Sequence, residues 1–222
     1  MLCSCAYSPP INTATYIIED AAQTLERFSL SPQLSGYQQV LESAPGVFIL
    51  PALIPHNADI MEKNKTIDVG TGISIARASD NIWSGPSFHN LSLEAGNALY
   101  NVDDAGSFII IFKSQEVMDD VLIRNRRFGG VAGVQYLLIS DRRKPTADEM
   151  NNAAALIYTD GQYAGLSGTP FDNSHLPEES EFNEWVYGEG AKPQTILKSE
   201  IGEPATNHYP SITRRLKRAL GP

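Results

Sequence analysis

The chain has 222 residues, 42% of them hydrophobic and 19% charged, so it is long enough to bury a core, and its 17 Gly and 14 Pro suit a turn-rich protein with strands. Its net charge of -9 disfavours nucleic acid as a partner, because that binding depends on cationic contacts with phosphate. The same charge disfavours a general attraction to anionic membranes unless positive charge is concentrated locally. The sequence holds no run that is long and apolar enough to span a bilayer.

The only two cysteines are Cys3 and Cys5, so the rest of the chain has no disulfide and no thiolate metal site. The sequence also lacks CxxC and HExxH patterns, and we expect neither a metal nor a cofactor. Residues 1–15 are expected to form a flexible lead. Within it, LCSC resembles a bacterial lipobox, which would make Cys5 an acylated residue. The alternative is two incidental thiols, because a signal peptide has basic and apolar segments ahead of its cleavage site.

The first predicted elements are two helices and a strand. Residues 16–30 predict an amphipathic helix whose apolar residues fall at helical spacing. Those residues are Ile17, Ala21, Leu25 and Phe28. Residues 36–44 predict a second, short helix that ends before Pro45. Residues 47–50 predict a short buried strand, and the polar stretch 55–71 predicts a loop that leads tightly into the next strand.

A β-hairpin is predicted where the chain reads WSGPSFHNLSLEAG, at residues 83–96. The stretch before it, residues 72–78, alternates like a strand with one apolar face. Asp80 favours a turn between the two, and Pro86 disfavours a helix after it. The unit is interpreted as a hairpin with an aromatic anchor at Trp83.

The middle of the chain predicts more strands and two helix starts. Residues 91–101 alternate like a strand, and the β-branched run at 107–113 predicts a central strand. Ser114 predicts the N-cap of a helix that continues to residue 123. Residues 129–139 are apolar and rich in glycine, which predicts a closely packed strand. A charged linker follows, in which Pro145 and Thr146 predict the start of a helical turn.

A second hairpin is predicted at residues 154–168, where the Asp160-Gly161 pair is a strong turn signal. Tyr163 stands where Trp83 stands in the first hairpin. The acidic residues 172–182 are expected to be exposed. Two related hairpin units with flanking short helices predict an α+β fold with a mainly antiparallel sheet.

Arginines gather directly after the helix predicted at 114–123. They are Arg124, Arg126 and Arg127. Three neighbouring guanidinium groups are typical of a site for phosphate headgroups. The alternative is a solvated helix C-terminus, where the helix dipole favours cations.

Residues 211–220 (SITRRLKRAL) predict a short basic amphipathic helix. Ile212, Leu216 and Leu220 are spaced by four residues. Its cations are Arg214, Arg215, Lys217 and Arg218. This pattern is typical of a helix on a membrane surface. The alternative is a terminal helix docked on the domain. Both interpretations hold if the leucines point inward and the cations outward.

WSGPSF resembles the signature of the SYLF family of lipid-binding domains, and the resemblance runs over most of the chain between residues 36 and 200. It implies a single SYLF-like domain over residues 16–210, followed by the basic helix at 211–222. The matched positions are interpreted as structural. They are Trp83, Ser84, Pro86, Phe88, Gly96, Gly129, Tyr163, Gly165, Asn183, Tyr187 and Gly188.

The resemblance implies a solitary, bacterial-type member that binds membrane phospholipids and catalyses no reaction. Its expected location is the bacterial cell envelope, facing the periplasm and anchored if Cys5 is acylated, with a cytoplasmic location peripheral to the membrane as the alternative. Two other functions stay open: a structural module with an envelope protein partner, and a serine hydrolase that would use Ser84, His89 and Asp80. Actin, which some fungal members bind through appended segments, is not expected as a partner.

Overall fold

The computed structural model describes residues 10–32, 34, 36–52, 66–77, 82–94, 106–126, 135–140, 145–160, 175–198 and 209–221. Within these residues, seven strands form one sheet. They are β1 Gly46–Leu50, β2 Thr66–Ala76, β3 Ser87–Glu94, β4 Phe108–Phe112, β5 Tyr136–Ile139, β6 Ala155–Thr159 and β7 His175–Glu179. Their order is β5-β6-β4-β1-β2-β3-β7, and every neighbouring pair is antiparallel except β5 and β6. The predicted α+β fold with a mainly antiparallel sheet is confirmed.

Helices of 4 to 21 residues flank the sheet. In the described residues they are α1 Pro10–Leu30, α2 Tyr37–Leu41, α3 Gln115–Met118, α4 Ala147–Asn152, α5 Phe182–Tyr187, α6 Pro193–Leu197 and α7 Tyr209–Leu220, and α3 runs directly into a π-helical segment, Asp119–Ile123. Both predicted helix starts are confirmed. The Ser114 hydroxyl accepts a hydrogen bond from the Val117 amide, and Thr146 forms a capping box with Glu149.

Alternation along the strands gives the sheet two apolar faces. In β1, Val47 and Ile49 pack on one side, which we call the front face, while Phe48 and Leu50 pack on the other, the back face. Helices α1, α2, α5 and α7 contribute to the core of the front face, and α3, the π-helical segment and α6 to that of the back face. Because both faces are covered, β1 and β4 are buried at every position, as expected for central strands.

Helix α1 begins at Pro10, six residues before the predicted start at residue 16, so residues 10–15 belong to a helix and not to a flexible lead. Proline suits the first turn of a helix because the amide that it lacks would have no intrahelical partner there. Ala14 is fully buried and extends the apolar stripe of Ile18 and Leu25 by one turn. The longer helix thus buries more of the front face than the sequence pattern indicated.

The first predicted hairpin is present, formed by β2 and β3, and an isolated bridge pairs Arg77 with Trp83. Strand β2 begins at residue 66, however, inside the stretch predicted as a polar loop. Gly72 lets β2 pack closely against β1. A Cβ atom there would lie 2.5 Å from the Phe48 ring and 2.7 Å from the Ile49 carbonyl oxygen, so only glycine lets β2 approach β1.

The second predicted hairpin is organised differently from the first. Strand β6 is paired with β4 along one edge and with β5 along the other, over its whole length. Both edges of β6 are therefore occupied by β4 and β5, and neither partner is the second half of the predicted hairpin. Residues 161–174, which include Tyr163 and Gly165, lie outside the described residues. Of the glycine-rich strand predicted at 129–139, the structure describes β5, which runs parallel to β6.

The acidic stretch predicted to be exposed contains strand β7, which pairs with β3 at the end of the sheet. Glu178 and Glu179 are exposed as expected, whereas Ser180 is buried. Pro177 in β7 is compatible with this position, because an edge strand leaves one row of backbone groups without strand partners.

Candidate functional site

Helix α7 separates its apolar residues from its cations. Leu216 and Leu220 are buried in the front-face core, whereas Arg214 and Arg218 are exposed. At 3.6 residues per turn, Arg214 and Arg218 form one row along the helix, and the two leucines form a row on the opposite side. Lys217 is half-buried between the rows. The helix is therefore docked through its leucines and presents cations outward.

Arg215 belongs to the docking contact and not to the outer row. Its Nε and Nη2 atoms donate to the two carboxylate oxygens of Glu26 on α1, at 2.8 and 2.6 Å. This hydrogen bonding from Arg215 lowers the pKa of the Glu26 carboxyl. Since both side chains are well exposed, at 44% and 45%, the pair orients α7 on α1 more than it stabilises the fold.

The C-terminal end of α7 is tied to the first hairpin. The indole Nε1 of Trp83 donates to the Gly221 carbonyl at 3.1 Å. The Arg77 guanidinium lies 4.2 Å from the centroid of the Trp83 ring and also donates to the Leu41 carbonyl. The hydrogen bond to Gly221 therefore holds one edge of the Trp83 ring, and the Arg77 guanidinium covers one of its faces. Ile82, which directly precedes Trp83 in the chain, is 58% exposed, so an aliphatic side chain lies on the surface next to this residue.

Two matched segments that stand far apart in the sequence meet in the structure. The Asn183 side chain makes a hydrogen-bonded pair with the backbone of Phe88, accepting from its amide at 2.8 Å and donating to its carbonyl at 2.9 Å. The Tyr187 hydroxyl donates to the Pro86 carbonyl at 2.9 Å. These side chains hold α5 against the start of β3.

Ser84 and Gly188, also among the matched positions, have local roles. The Ser84 hydroxyl accepts from the Ala76 amide and donates to the Gly85 carbonyl. Gly188 caps α5 with a φ of 103°, a backbone conformation that favours glycine. The remaining predicted positions lie outside the described residues. They are Cys5, Gly96, Arg127, Gly129, Tyr163 and Gly165.

Arg124 and Arg126 converge on one buried carboxylate. Both guanidinium groups contact Asp120, which is only 8% exposed and lies in the π-helical segment. Asp119 and Glu116 also act electrostatically on Arg124, so these two arginines lie among acidic side chains. Val121 and Leu122, next in the chain, pack on the back face, whereas α7 packs on the front face. The structure thus divides the predicted lipid-binding residues that it describes into two groups, on elements that pack on opposite faces of the sheet.

The geometry gives the serine hydrolase alternative no support. Ser84 is bonded to backbone groups, and His89 is instead paired with Ser74, with 2.6 Å between the hydroxyl and Nε2. Both members of the Ser74–His89 pair are fully buried on the back face, where the pKa of His89 is lowered to about 3 by burial. Asp80, the third predicted member, lies outside the described residues.

Three residues that shape these sites were not predicted from the sequence. Asp120 stands four residues before Arg124, a helical spacing that could have indicated the pair. No local pattern indicates Glu26, because its partner is 189 residues away. No local pattern indicates Arg77 either, whose guanidinium stacks on the Trp83 indole.

In the part of the chain that the structure covers, no helix combines the length and the apolar character required to cross a membrane. No protein-family model matches the chain. The chain is 23% identical over 191 residues to Protein YSC84 of Saccharomyces cerevisiae, a similarity that spans 83% of this chain and 39% of the yeast protein. Since YSC84 is a SYLF-domain protein, this similarity supports a SYLF-like family for the chain.

Proposed function

We propose that the protein is a non-enzymatic lipid-binding module that acts at an anionic membrane surface through α7. The supporting observation is that α7 is docked by Leu216 and Leu220 while Arg214 and Arg218 face outward. Residues 211–220 hold four cations and no acidic residue, in a chain whose net charge is -9. Anionic lipids attract a local concentration of cations of this kind, even on an acidic protein.

We assign lipid contact to α7 and not to Arg124 and Arg126. Those two guanidinium groups already compensate the buried carboxylate of Asp120, and a phosphate would compete with it. Replacing Arg214 or Arg218 does not remove the leucines through which α7 packs on the front face. Each Lys or Arg close to an anionic membrane contributes about 1 kcal/mol of attraction.

The test is co-sedimentation with phosphatidylcholine vesicles that contain either no anionic lipid or about 30% phosphatidylserine. We expect binding to the anionic vesicles only, weakening as salt screens the charges. Replacing Arg214 and Arg218 with Ser should lower the affinity about 30-fold, which corresponds to about 2 kcal/mol.

The matched control replaces Lys192 and Lys198 with Ser, since these are exposed cations at the two ends of α6, whose Leu197 packs in the back-face core. It changes the net charge by the same amount and should leave most of the binding intact. Absence of binding to both kinds of vesicle would refute the proposal. So would an equal loss of affinity in the two double variants, because that outcome would reflect net charge and not a surface.

A further inference from the structure

We propose that Ile82 enters the outer acyl region of the bilayer while Arg218 contacts anionic headgroups beside it, so that the hairpin and α7 form one membrane contact. This inference rests on the proposed function and adds an apolar anchor to it. The observation behind it is an exposed aliphatic side chain directly before a tryptophan whose indole is hydrogen-bonded to the residue that follows a cationic helix.

The position of Ile82 is fixed by its neighbour. Trp83 is only 4% exposed and is held by its hydrogen bond to the Gly221 carbonyl and by the stacked Arg77 guanidinium. Ile82 directly precedes this anchored residue and is 58% exposed. Because its neighbour is anchored, the Ile82 side chain can enter a lipid surface without the ordering of a flexible loop. The entropic cost of binding is therefore lower.

The cations lie at the same corner of the molecule. The Gly221 amide donates to the Arg218 carbonyl, so the residue that binds the Trp83 indole is one hydrogen bond from the last cation of α7. Arg218 is exposed, and Arg214 continues the same row one turn earlier. A membrane interface accepts both kinds of side chain, with the apolar group below the headgroups and the charge among them.

A bilayer fits this corner better than an acidic protein would. Ile82 and the cation row of α7 form neither a groove nor an extended apolar face. They therefore offer a protein partner little surface to bury. A bilayer requires no shape complementarity, and its anionic headgroups complement the charge of α7. Binding of an acidic protein without insertion is therefore the competing outcome in the test.

The test places an environment-sensitive fluorophore at position 82, through Ile82→Cys in a chain with Cys3→Ser and Cys5→Ser. The matched control is Gln194→Cys, at an exposed site on α6, whose Leu197 packs on the opposite face of the sheet. Vesicles contain phosphatidylcholine with about 30% phosphatidylserine and a nitroxide quencher on the acyl chains. We expect a blue shift and quenching for the label at 82 and neither for the label at 194.

Unlabelled Ile82→Asn provides a second measurement. It should lower vesicle affinity about tenfold, from the lost burial of an aliphatic side chain, and leave the salt dependence of binding unchanged. Because residue 82 is exposed, the far-ultraviolet circular dichroism spectrum and the melting temperature should stay those of the wild type.

The outcomes separate the two proposals. Binding to anionic vesicles without a shift or quenching at 82, or with equal signals at 82 and 194, overturns this inference and leaves the proposed function standing. Unchanged affinity of Ile82→Asn also overturns it. No binding of the wild-type chain to any vesicle overturns both, and capture of an acidic protein without a signal at 82 replaces the bilayer with a protein partner.

Discussion

As the pH falls, His89 should begin to destabilise the fold at a pH well above the range in which carboxylates titrate. The imidazole is fully buried on the back face, edge-on to the Phe48 ring at 6.0 Å between centroids, and its Nε2 is paired with the Ser74 hydroxyl. Its Nδ1 has no hydrogen-bond partner among the described residues. Burial, which disfavours the charged imidazole, lowers the pKa of His89 from its ordinary value of 6.5 to about 3.

The sign and size of the effect follow from this shift. Between pH 6.5 and pH 3 the unfolded chain binds a proton at His89 and the folded chain does not, so stability is present above pH 6.5 and is lost as the pH falls. The slope approaches about 1.4 kcal/mol per pH unit, and the loss from pH 7 to pH 5 is about 2 kcal/mol. This loss changes little with the folded pKa as long as that pKa stays below about 4.

The assay is urea denaturation of the wild type and of His89→Gln at pH 7 and at pH 5. Glutamine keeps a polar group within reach of Ser74 but does not titrate, and every other titrating group is common to both chains. The wild type should lose about 2 kcal/mol more than the variant between the two pH values. Equal losses would refute the reasoning, and so would an imidazole NMR titration of the wild type with a midpoint near 6.5, a measurement that needs no variant.

Three further substitutions test the packing around the site. Gly72→Ala should lower the free energy of unfolding by about 1–3 kcal/mol in urea denaturation, because the new methyl group overlaps β1, whereas Gly36→Ala, with open space around it, should cause no loss. Asn183→Ala should lower it by about 1–3 kcal/mol, because a buried amide of β3 loses its partner. Trp83→Phe should speed amide exchange in α7 relative to α6, since it removes the hydrogen bond to Gly221.

Each of these expectations can fail separately. Equal stabilities of the two alanine variants would mean that β2 shifts away from β1 at little cost. An unchanged stability of Asn183→Ala would mean that water replaces the side chain. Exchange in α7 that is unaffected by Trp83→Phe would mean that the leucine contacts alone hold the end of the helix.

Elements whose signals are local could be predicted from the sequence. The β-branched run around Ile110 became a central strand because no other environment buries five consecutive apolar residues so well. Ser114 and Thr146 were predicted as caps because their hydroxyl groups satisfy amides within three residues. The cation row and leucine row of α7 likewise follow from helical spacing alone.

Features that depend on distant residues could not be predicted. The turn signal at Asp160 predicted a hairpin, but β4 and β5 occupy both edges of β6, and no local pattern indicates which strands become neighbours. Strand β7 was missed because Pro177 and the surrounding acidic residues have low strand propensity, which pairing with β3 overrides. The division of the predicted cations between two faces of the sheet also depends on packing that local sequence does not record.

The contact between α1 and α7 has a consequence for synthesis of the protein. Glu26 and Arg215 are separated by 189 residues, so the side of α1 that receives α7 has no cover while the intervening chain is translated. At about 5–20 residues per second this interval lasts roughly 10–40 s. The nascent chain should therefore carry an exposed apolar stripe on α1 during this interval, and a chaperone that binds near the ribosome exit would find its substrate there.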